Sequence, residues 1–294
     1  MTGELAALSA ALAFGISIVL ARRFMVAVTP EAGVLVSIAT NVFVFVALLL
    51  VAAWRGLLPP IHPLSIPLFI VGGLAGSLLG RNLSYFSINR LGPSLATTVR
   101  LTNTVFTLLF GFLFLRELPR AWQLAGLVLI TAGLWVSLRP LKDSAAVPHR
   151  AANVAGVLMA LGGAAAFALG DTARRGALGL TPAPVFGAAV GAGAALLAHL
   201  VWSISRRSAR WPKGSALRRA DLLGSAAFNT IAILLLFVGL QQAPVAIVSV
   251  LYNLQVLVVL IISPLMLRGQ ETITVWLVIG TALALAGTAM ILLG

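Results

Sequence analysis

The sequence predicts an all-α integral membrane protein with ten transmembrane helices arranged as two inverted five-helix repeats. Three observations carry this: a composition too apolar for water, charge-free runs of span length, and an internal repetition at nearly one offset. The chain has 294 residues, 60% hydrophobic and 9% charged, with a mean hydropathy of +1.07. A soluble domain carries about 25% charged residues to cover its surface. Twenty Lys+Arg against seven Asp+Glu give +13, but the bases stand mostly at short breaks between apolar runs. That is where membrane-flanking charge belongs, not the stripe that nucleic acid requires. Cysteine is absent, which excludes disulfides, thiolate catalysis and zinc-thiolate sites; three scattered histidines offer no metal spacing. The reading therefore includes no metal, no cofactor and no catalytic residue.

A helix rising ~1.5 Å per residue needs ~20 residues to cross ~30 Å of hydrocarbon. The first span covers residues 4–21. It lacks a basic n-region and is followed, not preceded, by Arg22-Arg23, so it reads as a retained helix rather than a signal peptide. Apolar runs place the next spans at 32–53, 64–88, 93–115, 120–138, 151–171 and 183–204. The charge-free run from Leu222 to Leu267 is two spans, 220–240 and 244–267, because Gln241-Gln242-Ala243-Pro244 supplies a turn. The tenth is 271–293. The connections at 139–150 and 205–219 are too short for a soluble domain, and continuous rather than alternating apolarity excludes a β-barrel.

The halves repeat one another. ARRFMVAVTP at 21–30 matches ARRGALGLTP at 173–182; Phe86 and Pro93 match Phe237 and Pro244; and Glu117, Trp122, Gly126 and Gly133 match Glu271, Trp276, Gly280 and Gly287. The chain divides into a first repeat at 1–138, a connecting loop at 139–150 and a second repeat at 151–294. Five spans per repeat make the second copy enter the membrane from the opposite side, an arrangement typical of secondary transporters.

A Glu opening the fifth and tenth helices, with Gly nine and sixteen residues later in both copies, resembles the EamA family of the drug/metabolite transporter superfamily. The resemblance covers the whole chain. It implies a basket-like ten-helix fold with a central cavity lined mainly by helices 1, 3, 4, 6, 8 and 9, and transport or export of small metabolites. Physically, Glu117 and Glu271 suit helix N-termini, where carboxylates accept from free backbone N–H groups. Gly126, Gly133, Gly280 and Gly287 suit close helix contact in lipid. These are structural roles.

Ligand chemistry is expected instead from polar residues inside the spans, since ionisable groups in hydrocarbon are costly and face cavities. Arg81 and Arg100 flank the turn at Gly92 at equal distance, each ~12 Å below the same interface. Ser77, Arg81 and Tyr85 share one face of helix 3, and Arg100, Asn103 and Thr107 one face of helix 4. Asn229, Ser249, Tyr252 and Asn253 occupy comparable depth in the second half. The predicted substrate-binding set is Arg81, Tyr85, Arg100, Asn103, Asn229, Ser249, Tyr252 and Asn253, suited to an anion because guanidinium forks bind carboxylate or phosphate bidentately. Two alternatives stand beside it: pairing of each Arg with an acid or with carbonyls, and snorkelling to the interface. All seven acids read as lying near span ends, Asp171 being the one plausible deep partner, with Arg174-Arg175 competing for it. Without a deep carboxylate in helices 1, 3, 4, 8 or 9, proton-coupled export of cationic drugs is disfavoured. His199 reads as a packed residue.

The expected function is that of a secondary or facilitative permease for a small anionic or zwitterionic metabolite, alternating access between inverted repeats, as a multi-pass protein of the plasma membrane. A lipid-head-group flippase or an accessory membrane subunit is the alternative; an intramembrane enzyme is weakest, because no nucleophile pair or acid cluster occurs in the spans. The partners are the bilayer and a small-molecule substrate, with no nucleic acid; a homodimer is left open. Orientation divides the two lines of reasoning. Thirteen Lys+Arg lie on one side, six of them between Arg206 and Arg219, against five on the other, so the positive-inside rule puts the termini outside. The family resemblance puts them inside. A topology reporter fused to Gly294 separates these: loop charge predicts activity outside the cytoplasm, the resemblance predicts activity within it.

Overall fold

Proline and glycine set most of the observed helix boundaries. The computed structural model describes residues 3–115, 121–139, 150–206, 216–267 and 273–293. We number ten helices along them: α1 Gly3–Phe24, α2 Pro30–Trp54, α3 Ser65–Leu91, α4 Pro93–Phe114, α5 Ala121–Ser137, α6 Arg150–Leu180, α7 Pro184–Arg206, α8 Ala216–Gln242, α9 Val245–Leu267 and α10 Val275–Leu293. Pro30 and Pro93 occupy first-turn positions, where the missing N–H costs nothing. Thr29 caps α2, its hydroxyl accepting from Ala32 N at 3.3 Å. Gly92, at φ 82°, makes the tight turn between α3 and α4 that a side chain would strain. Among the described residues there is no strand.

Among the described residues, eight helices are long and apolar enough to cross a membrane; the apolar parts of α5 and α10, Trp122–Ser137 and Val275–Ile291, are shorter. The outward faces are apolar, with Phe43, Val201 and Leu265 all more than two-thirds exposed. Trp54, Trp122, Trp135, Trp202 and Trp276 are exposed near helix ends, as in the aromatic belts of membrane interfaces.

One sequence expectation is corrected here. The sixth helix ends at Leu180 rather than near residue 171, because the first residue that resists helix is Thr181, preceding Pro182. Asp171 therefore lies well inside a helix and is 1% exposed, not at a span end. Arg174 and Arg175 lie in the same helix rather than in a loop. Glu117 and Glu271 fall outside the described residues. At the start of α10, Thr274 Oγ1 accepts from Leu277 N at 3.2 Å.

The main packing joins one repeat to the other: α1 against α8 and α9, α6 against α3 and α4, α2 against α7, and α5 against α10. Glycine makes the last contact. A Cβ on Gly126 would lie 2.5 Å from the Gly287 carbonyl oxygen, and one on Gly287 would lie 2.5 Å from that of Gly126. Gly133 and Gly280 crowd each other's carbonyls in the same way. Because Gly126 corresponds to Gly280 and Gly133 to Gly287, each position meets its counterpart's neighbour, first to second and second to first. That is the self-complementary pattern of an antiparallel, two-fold contact. Three helices are interrupted. The middle of α3, Gly73–Gly80, is π-helical; α4 breaks at Leu101–Thr102 and α9 at Leu254, corresponding positions in the two repeats.

Replacing Gly280 with Leu drives a side chain into Ser137 and the Gly133 backbone. The expected loss is about 3 kcal/mol of stability, at the upper end of overpacking. Gly193→Ala, which meets nothing within 4 Å, should instead raise stability by about 0.5–1 kcal/mol, the helix-interior difference between glycine and alanine. Thermal unfolding in detergent measures both.

Candidate functional site

A cavity at the centre of the bundle is lined from six helices: Phe14, Ser17 and Ile18 of α1, Gly76 to Tyr85 of α3, Arg100 of α4, Phe167, Asp171 and Arg174 of α6, Asn229, Ile233 and Leu236 of α8, and Tyr252 of α9. These are the helices implied by the family resemblance. About 40 Å³ is open to a water-sized sphere, room for roughly three waters.

Arg81 is held by neutral groups. Its position at the end of the π-helical segment turns it inward, where it is 4% exposed. Nη1 donates to Ser37 Oγ at 2.7 Å. With the amides of Asn229 and Asn41 oriented to satisfy both donors and acceptors, Asn229 Oδ1 accepts from Nη1 and Nη2 at 2.9 and 3.1 Å, and Asn41 Oδ1 from Nη1 at 3.2 Å. One guanidinium thus ties α3 to α2 and α8.

The acid is held by Arg174. Arg174 Nη1 donates to Asp171 Oδ1 at 2.7 Å, and Nη2 to Gly72 O at 2.8 Å and Ser77 Oγ at 3.1 Å. Gly72 and Gly76 make the niche: a Cβ on Gly76 would come within 2.7 Å of Arg174 Nη2. The Tyr252 hydroxyl lies 2.9 Å from Asp171 Oδ2 and 3.0 Å from Asn103 Oδ1. Its single hydrogen serves one acceptor at a time. Ser249 Oγ also donates to Asn103 Oδ1, at 2.6 Å, and Asn103 Nδ2 donates to Ala164 O at 3.1 Å. This chain of bonds fastens α6 to α9 through α4.

Arg100 differs. It is 8% exposed, ends the first half of the broken α4, and among the described residues its guanidinium donates no hydrogen bond. Its recorded partner is the Phe167 ring, 5.2 Å from the guanidinium carbon. A desolvated cation–π contact contributes about 2 kcal/mol, whereas removing an ion from water costs several kcal/mol even after relaxation. The ring alone does not offset burial, so Arg100 presents donor capacity to whatever occupies the cavity.

The structure brings Arg81, Tyr85, Arg100, Asn229 and Tyr252 to the cavity wall. Asn103 and Ser249 lie behind Tyr252 and orient it. Asn253 lies away from the lining and donates to Thr104 Oγ1 at 3.0 Å. Neither Arg81 nor Arg100 snorkels. Sequence reasoning placed Arg174 in a loop and did not select Asp171, Ser37 or Asn41 for the site. Ser37 and Asn41, polar at i and i+4 in an otherwise apolar helix, carried a signal; so did Thr181-Pro182, which marks where α6 ends. Among the lining residues the one carboxylate is Asp171 of α6, outside the helices for which a deep acid was discounted, and Arg174 neutralises it. His199 is buried, as expected of a packed residue, at 2% exposure.

The family model for the EamA-like transporter family matches residues 1–139 and again residues 154–293. No curated protein matches the chain. Among 27 matching chains of solved structures, one crystal structure, of a protein described no further, has a TM-score of 0.68 at 20% identity and covers 99% of this chain and 97% of that one. At that identity the likeness shows the fold alone.

Asp171→Asn leaves Arg174 buried without its counter-charge and should cost about 3–5 kcal/mol. Tyr252→Phe removes one hydrogen bond to Asp171 or Asn103 and should cost about 1–2 kcal/mol. Denaturation of the purified variants reads both, and equal losses would contradict the geometry.

Proposed function

The chain belongs to the EamA-like transporter family, a family of membrane transporters for small molecules, and from that premise we propose that it is a secondary or facilitative permease for a small anionic or zwitterionic metabolite. The observation that carries this reading is Arg100: a buried guanidinium in a central cavity, with an aromatic ring but no hydrogen-bond acceptor among the described residues. A carboxylate or phosphate supplies that acceptor bidentately. Substrate-binding roles go to Arg100, Arg81, Asn229, Tyr85 and Tyr252, with Asn103 and Ser249 positioning Tyr252.

Alternating access is the mechanism this architecture favours. The antiparallel α5/α10 contact supports a two-fold relation between repeats, with α5 and α10 completing ten spans. The breaks in α4 and α9 are the paired, discontinuous helices that mark substrate sites in inverted-repeat transporters. Exchanging the two repeats' conformations opens the cavity to one side, then the other. A plasma-membrane location fits this role.

Purified protein in liposomes should move organic acids, phosphate esters or amino acids faster than empty vesicles do. Arg100→Gln should lower uptake about tenfold or more, the worth of a charge-assisted hydrogen bond, while leaving membrane insertion intact. Uptake at the empty-vesicle rate for every solute class would contradict the reading.

A further inference from the structure

The charge inventory of the cavity narrows the ligand. Among the described residues, its wall carries three guanidinium groups, Arg81, Arg100 and Arg174, and one carboxylate, Asp171. Arg174 and Asp171 neutralise each other at 2.7 Å. Arg81 is solvated by the neutral oxygens of Ser37, Asn229 and Asn41, and Arg100 by the face of Phe167. Two positive charges are left without a counter-charge, in a largely buried setting where screening is weaker than in bulk water. A monoanion leaves one of them uncompensated; a zwitterion leaves both.

Resting on the permease reading above, we infer that the cavity binds a compact dianion, a phosphomonoester head group or a tetrahedral oxyanion of the same charge, with Arg100 as its principal contact. Donor chemistry agrees. Ser77, Ser84 and Tyr85 of α3 line the cavity, and hydroxyls complement a centre with three or four acceptor oxygens. The organic remainder of a phosphate ester extends toward the α1 and α8 side, where Phe14, Ile18, Ile233 and Leu236 are apolar.

The test is equilibrium binding to the purified full chain in detergent, with sulfate, glycerol phosphate, chloride and acetate as probes, at pH 7.5 and 5.0. Sulfate is a dianion at both values; a phosphomonoester, with its second pKa about 6, is a dianion only at the higher. Sulfate and glycerol phosphate should bind at least about tenfold more tightly than chloride and acetate, the difference one further charge-assisted bond makes. Glycerol phosphate should weaken about tenfold at pH 5.0 while sulfate does not, which follows from the second pKa of about 6. Arg100→Gln should abolish the preference for dianions, and Arg100→Lys should restore part of it. Because the Arg100 guanidinium donates to no group among the described residues, neither change removes a hydrogen bond seen there, and the pH contrast in the wild type needs no variant.

Chloride or acetate binding as tightly as sulfate overturns the inference, and so does a parallel loss of sulfate at pH 5.0. Transport of a zwitterion in liposomes without sulfate binding overturns the dianion and leaves the permease standing. Dianion binding without transport of any solute supports the site and refutes the permease.

Discussion

A guanidinium in hydrocarbon has to be enclosed, and much of this bundle's interior is organised by that requirement. Arg81 and Arg174 are each wrapped by partners from helices other than their own: α2 and α8 for Arg81, α3 for Arg174, with Phe237 of α8 5.4 Å from its guanidinium carbon. Asp171 extends the same network to α9 through Tyr252. Facing lipid, any of these groups would be unsatisfied at a cost of several kcal/mol. Polar satisfaction therefore brings together helices that the hydrophobic effect, weak between apolar surfaces in a bilayer, does not. The outer faces are free to be uniformly apolar because the charge is dealt with inside.

The packing outside the cavity has a different basis. At α5 and α10, backbone meets backbone across Gly126/Gly287 and Gly133/Gly280, with Ile291 and Ser137 close beside the glycines. Beside the cavity the helices are irregular: α3 is π-helical over Gly73–Gly80, and α4 and α9 are interrupted at Leu101–Thr102 and Leu254. Irregular backbone is tolerated at membrane depth where it is buried in protein or lines a cavity.

Much of this was legible in the sequence, for reasons that can be named. Repetition at offsets of 151 to 154 is visible because proline, glycine and arginine stand out against an apolar background, so Pro93/Pro244 and the four motif glycines locate the repeats. Arg81 and Arg100 were recoverable because Gly92 fixes the turn between them. The Asp171–Arg174 pair was obscured by the repeat itself. Arg22-Arg23 closes α1, which ends at Phe24, and the matching Arg174-Arg175 looked like the same terminal pair. The second copy continues to Leu180, whereas the first stops at Phe24. Arg175 still does what Arg22 does, donating to the last carbonyls of the third helix of its repeat: Arg175 to Leu240 O and Gln241 O, Arg22 to Asn89 O. Taking Arg174 and Arg175 out of the loop count leaves Arg55, Arg116 and Arg120 facing thirteen bases on the other side, which sharpens the charge asymmetry.

The central claim is that the bundle encloses more positive charge than it neutralises, and that Arg100 holds the excess for a ligand. The most direct measurement is an experimental structure determined in selenate, whose selenium scatters anomalously. The account predicts an anomalous peak inside the cavity, within hydrogen-bonding distance of the Arg100 guanidinium. A cavity without selenium, with Arg100 paired to a carboxylate of the protein itself, would contradict it.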